Sequence, residues 1–91
     1  MTIRKFADHP AAACRIVTFD DGTVSLQSYS TYVIDIDHDG WMKVYGLFSR
    51  TTIKHIGWFM RERGSSYQFA KALYHDNMMY NIYTGEYRAR D

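Results

Sequence analysis

The run Asp35-x-Asp37-x-Asp39-Gly40 places oxygen ligands at alternating positions and a glycine at the bend, which is how a calcium loop opens. Closing such a loop takes a bidentate acid at the twelfth position, and there the chain has Gly46. The flanking runs are β-prone rather than helical. Their register sets Asp35 opposite Lys43 as a cross-strand ion pair. These acids read as an acidic hairpin turn.

A nucleophile–base pair could be drawn from Thr51 or Thr52 with His55, since a hydroxyl three or four helical positions away can reach the ring. Acyl transfer also needs an orienting third group and an oxyanion hole, and no residue pattern supplies either. His55 reads as a half-exposed helix histidine near its cap. Cys14, at the start of a strand and on its inward face, reads as a small buried hydrophobe. His9, His38, His55 and His75 lack metal-ligand spacing, and the chain has no Gly-rich phosphate loop. The expectation is a protein that is not an enzyme, with no catalytic, cofactor-binding or metal residues.

Recognition chemistry is better supplied. On a helix at 100° per residue, Arg50, Lys54 and Arg61 fall on one side with Trp58 beside them, a composition that suits a protein hot spot or a phosphate backbone with a stacked base. Asp20, Asp21, Asp37 and Asp39, with His38 among them, belong to two turns that a meander brings to one end of the sheet. Carboxylates on such a rim either just solvate the turns or imitate phosphates toward an arginine-rich groove. A third surface is the outer sheet face, where Phe19, Val33, Trp41 and Tyr45 suit a homodimer seam or a protein partner unless the Tyr-rich C-terminal segment covers it.

The elements that must position these residues begin with two hairpins. Residues 14–19 and 23–27 flank Asp20-Asp21-Gly22, and residues 31–37 and 41–45 flank His38-Asp39-Gly40. Both connections have three residues ending in Gly, the form of a type I turn followed by a left-handed residue. That register sets Ile16 against Leu26, Thr18 against Val24, Ile34 against Val44 and Ile36 against Met42. One face is then apolar (Ile16, Val24, Leu26, Tyr32, Ile34, Ile36, Met42, Val44) and the other mixed, the pattern of an antiparallel sheet covered on one side.

Ser49 is placed to cap a helix over 50–63 with Gly64 ending it, and Ile53, Ile56, Gly57 and Met60, with Phe59 at the margin, form its core stripe. Ser65-Ser-Tyr-Gln68 fits a capping box opening a second helix to about Asp76, with Phe69, Ala70, Leu73 and Tyr74 inward. Met78–Tyr83 is β-prone, and Ala11-Ala-Ala13 suits a short helical turn. The fold class expected is α+β: a four-stranded antiparallel meander with two C-terminal helices packed on one face, and room for a short extra strand near the C-terminus. The segments are 1–13, 14–48, 49–77 and 78–91 of one domain.

Composition bounds the rest. The 91 residues are 46% hydrophobic and 16% aromatic, enough for a modest core and too apolar for a disordered chain. A net charge of +1 argues against bulk electrostatic binding to nucleic acid or membrane, although acids gather in residues 1–48 and bases in 49–91. One cysteine allows no internal disulfide, and neither a signal-type apolar run nor a membrane span is visible. The expected location is cytoplasmic.

Ser28-Tyr-Ser-Thr-Tyr-Val33 followed by Val44-Tyr-Gly-Leu-Phe-Ser-Arg-Thr-Thr-Ile-Lys-His-Ile56 resembles a family of small uncharacterised proteins of phages, plasmids and related bacterial mobile elements. Its marks are a Ser-Tyr-x-Thr strand, a strand ending in Tyr-Gly, and a Ser-x-Thr-Thr-x-x-His-Ile helix start. The resemblance covers residues 28–64, with Phe48 where Tyr is expected. It implies a bacterial host cytoplasm and the role of an inhibitor of host defence. The most concrete form is an anti-CRISPR protein that blocks a Cas effector nuclease by protein–protein interaction. The alternative expectation is a small nucleic-acid-binding regulator using Arg50, Lys54, Trp58 and Arg61.

Overall fold

A computed structural model describes residues 1–90; Asp91, the end of the expected 78–91 segment, lies outside them. The chain order is β1 (Thr2–Arg4), β2 (Cys14–Thr18), β3 (Val24–Ser28), β4 (Thr31–Ile36), β5 (Trp41–Val44), α1 (Arg50–Glu62), α2 (Tyr67–His75), β6 (Met78–Asn81) and β7 (Tyr87–Ala89). All seven strands form one antiparallel sheet in sequence order, with both helices inserted between β5 and β6. This corrects the four-stranded meander: the α+β class stands, but the sheet has three further strands.

One of them, β6, falls in the β-prone Met78–Tyr83 run, whereas β1 and β7 were hard to anticipate for a physical reason. β1 is exposed throughout and β7 equally so, which leaves no alternation to detect. Each exists because a neighbour offers its backbone, as in Ile3 against Val17 and Met79 against Arg88. The bidentate Arg4–Glu62 pair also ties the end of β1 to α1. Ala11–Ala13 forms turn and bend rather than helix.

The two hairpins pair in the expected register, Ile16 with Leu26 and Ile34 with Val44. Gly22 and Gly40 take the left-handed conformation that the three-residue turns require. The β3–β4 pairing departs from expectation at a bulge, where Leu26 faces Ile34 but Gln27 faces Tyr32. Val33 is the extra residue. It is fully buried in the core cluster, while Tyr32 turns to the outer side and stands 41% exposed. The expected faces of these two side chains are therefore exchanged.

The helices lie on the sheet face of Cys14, Ile16, Leu26, Ile34, Ile36, Met42 and Val44, packing over β3, β5 and β6. Ser49 caps α1 by accepting from the Thr52 amide, and Ser66 rather than Ser65 caps α2. α1 is rotated relative to the expected stripe: its buried residues are Thr52, His55, Ile56, Phe59 and Met60, and Ile53 is only half-buried. A threonine and a histidine thus enter the core stripe. Their partners explain how.

Candidate functional site

Ser28 ends β3 on the inward row, paired with Cys14. Its hydroxyl lies 2.8 Å from His55 Nδ1 and 3.1 Å from Thr52 Oγ1, which in turn lies 3.2 Å from Ser49 Oγ. Three hydroxyls and one imidazole form a continuous chain from the α1 cap to the sheet. Either histidine tautomer completes it, because each hydroxyl can donate one way and accept the other. Burial is the main reason the His55 pKa falls below its ordinary value, with Lys54 adding to it. The Ser28 and His55 side chains are each only 2% exposed, so the pair closes helix against sheet and no substrate carbonyl reaches it. His55 was expected to be half-exposed. The signal available was Ser28 itself, a hydroxyl on an otherwise apolar row.

Five of the motif residues that carried the family resemblance converge here. Ser28, Ser49, Thr52 and His55 form the hydroxyl chain, and the Tyr29 ring stands 5.9 Å from that of His55. Cys14, beside them, is buried and its thiol pKa is raised, chiefly by desolvation.

The basic helix side is more enclosed than expected. Arg50, Lys54 and Arg61 are exposed, and no ion pair among the described residues uses them. Trp58 is half-buried: His9 stacks on its indole at 3.6 Å with the planes 6° apart, and Phe6 meets it edge-on at 5.9 Å. The N-terminal segment therefore covers one indole face. Arg61 lines a depression of about 170 Å³ that also holds Asp8 and Glu62, so its field is partly answered.

The acidic turns do meet. A Cβ on Gly22 would lie 3.2 Å from the Cβ of His38, so the β2–β3 and β4–β5 turns touch at one end of the sheet. Several carboxylates are committed locally. Asp20 lies 2.5 Å from the Met1 amino group. Asp21 accepts from the Thr23 amide, which holds its carboxyl below the usual range. Asp37 accepts from the Asp39 and Trp41 amides. Asp39 faces His38 at 3.4 Å. Among the described residues no group of three His, Cys, Asp or Glu side chains is gathered for a metal ion.

The outer sheet face carries the densest set of unexpected contacts. Asp35 and Lys43 are cross-strand neighbours as expected, yet they form no ion pair. Asp35 instead accepts from Ser25 Oγ at 2.5 Å and Tyr45 Oη at 2.8 Å, and the Lys43 ammonium lies over the Tyr45 ring at 5.6 Å. The Tyr45 hydroxyl, desolvated and donating to a carboxylate, has its pKa pushed up to about 12. Trp41 carries the Arg88 guanidinium over its ring at 4.2 Å. Phe19 and Tyr32 form a tilted ring pair 5.9 Å apart.

Of the expected homodimer seam, Phe19, Trp41 and Tyr45 lie on this face and Val33 does not. β6 and β7 extend the sheet sideways instead of folding over it, so the C-terminal segment leaves Phe19, Tyr32 and Tyr45 uncovered. Two adjoining depressions of about 250 and 200 Å³ share Thr23 and Asp35 here. No helix in the described residues is long and apolar enough to cross a membrane.

The chain belongs to a family of unknown function, DUF8033, whose sequence profile matches residues 3–76. The match runs from β1 through α2 and stops before β6 and β7. No curated protein and no solved structure matches the chain.

Proposed function

We propose that this chain is a non-catalytic binding module that engages a protein partner through the open sheet face and the acidic turns at its end. One observation carries the reading. Both helices lie on one side of the seven-stranded sheet, leaving Phe19, Tyr32, Trp41 and Tyr45 on the other side with no layer above them. Aromatic rings set among polar groups on a rigid sheet are the composition of a protein-binding hot spot. The basic helix side supports the nucleic-acid alternative less well, because His9 already occupies the stacking face of Trp58.

The resemblance to mobile-element proteins supplies the target class: a host nuclease, most concretely a Cas effector, held in an inactive state. Asp21 and Asp39 at the rim would meet its arginines, which ordinarily contact nucleic acid. A reconstituted cleavage reaction tests this. Added protein should suppress cleavage, and Tyr32→Glu or paired Asp21→Lys and Asp39→Lys should restore it, while Lys54→Glu should not. Cleavage at full rate with wild-type protein removes the target, and inhibition unchanged by the sheet-face and rim variants removes the surface.

A further inference from the structure

The rings of the outer face differ in one respect. Trp41 and Tyr45 each hold a cation from this same chain, Arg88 at 4.2 Å and Lys43 at 5.6 Å. Phe19 and Tyr32 hold none among the described residues. They wall a depression of about 250 Å³ whose remaining lining is Asp21, Thr23, Ser25 and Asp35. We infer that this depression takes the cationic head of an arginine or lysine side chain presented by the partner protein. The inference rests on the binding-module reading and names what the open face would recognise.

The chemistry follows from the lining. Two aromatic rings offer their quadrupoles to a cation, and two carboxylates offer it charge-assisted acceptors. Asp21 accepts from the Thr23 amide through Oδ1 and also interacts with the Thr23 hydroxyl, and the exposed carboxylate has further lone pairs to offer a ligand. As an exposed carboxylate it is ionised near neutral pH, and its bond from the Thr23 amide lowers its pKa further. Each Asp35 oxygen accepts a single protein hydrogen bond, from Ser25 and from Tyr45, and retains a second lone pair. Those two bonds fix the carboxylate so that little ordering remains to be done on binding. Basic groups facing the depression are few. His38 lies near Asp21, and the Lys43 ammonium is turned to Tyr45. An apolar side chain placed here would strip water from Asp21 and Asp35 without replacing it, so the lining selects for charge as well as size.

Amide chemical-shift titration of the whole chain with N-acetyl-arginine amide, N-acetyl-lysine methylamide and N-acetyl-citrulline amide tests the inference. Arginine or lysine should move the amides of residues 19–25 and 32–35, with a Kd on the order of millimolar for so small a probe. Citrulline, matched in shape but uncharged, should bind at least about tenfold more weakly, and Tyr32→Ala should weaken the cation by about threefold or more. Asp21→Asn, which keeps the turn acceptor, should weaken it as well, and Lys71→Ala on the far helix should change nothing. Equal shifts with citrulline, shifts that map to the helices, or affinity untouched by Asp21→Asn overturn the inference. Arginine-selective binding without nuclease inhibition overturns only the target. Inhibition relieved by Tyr32→Glu without cation-selective binding overturns only this pocket.

Discussion

Replacing Ser28 with alanine should be among the most damaging single-atom changes in this protein. The hydroxyl serves two buried partners at once, His55 Nδ1 at 2.8 Å and Thr52 Oγ1 at 3.1 Å. Thr52 keeps Ser49 as a partner, whereas Nδ1 has no other bond among the described residues. Losing the favourable bonds costs about 1 kcal/mol, and leaving a buried ring nitrogen unpaired costs about 1–3 more. A total of about 2–4 kcal/mol is therefore expected, against a total stability of about 5–15. For a chain of this length that corresponds to a fall in Tm of about 10–20 °C.

Urea denaturation of wild type and Ser28→Ala measures it directly, with unchanged m showing that stability and not compactness has moved. His55→Leu should also destabilise. Because removing both partners leaves nothing orphaned, the double variant should be less damaged than the sum by about 1–2 kcal/mol. A Ser28→Ala loss within about 0.5 kcal/mol, or strict additivity in the cycle, would refute the claim that this hydroxyl chain holds helix to sheet.

Acidification probes the same ring. Its folded pKa is lowered by burial, so below the unfolded value of about 6.5 the unfolded chain takes up a proton that the folded chain refuses. Stability should hold level above that value and fall as pH drops from it toward the folded pKa, and His55→Leu should remove that part of the slope in pH-dependent urea titrations. Gly40→Ala should cost about 1–3 kcal/mol by chemical denaturation, since φ is +95° and an added Cβ would sit 2.5 Å from the Tyr83 ring. A cost under about 0.5 kcal/mol would mean that the turn relaxes freely. Cys14, buried with a raised pKa, should react with a thiol reagent in native buffer many times more slowly than in denaturant, and equal rates would contradict its burial. Arg4→Ala should lower stability by less than about 1 kcal/mol, because both partners of the Arg4–Glu62 pair are solvent-exposed, while hydrogen exchange at Thr2–Arg4 quickens.

The sequence by itself determined whatever short-range chemistry could encode. Gly22 and Gly40 close three-residue turns that fix hairpin register, and the period-two apolar rows of 14–18, 24–28 and 41–44 mark the inward face. Ser49 and Gly64 bound the first helix because an N-cap hydroxyl and a left-handed residue answer backbone groups within a few positions. The convergence of the acidic turns followed from meander order alone.

Tertiary structure decided what depends on partners distant in the chain. Thr2–Arg4 and Tyr87–Ala89 are strands only because β2 and β6 present unpaired edges to them, and their own exposed side chains announce nothing. Val33 and Tyr32 exchange faces because the bulge arises from how β3 meets β4, a mismatch that the alternation of either strand conceals. His55, on α1, enters the core only because Ser28, at the end of β3, satisfies its ring. Trp58 is stacked because His9 folds back from the N-terminal segment. A local pattern reports which side chains prefer to leave water; which polar group may follow them is set by whether the fold brings it a partner.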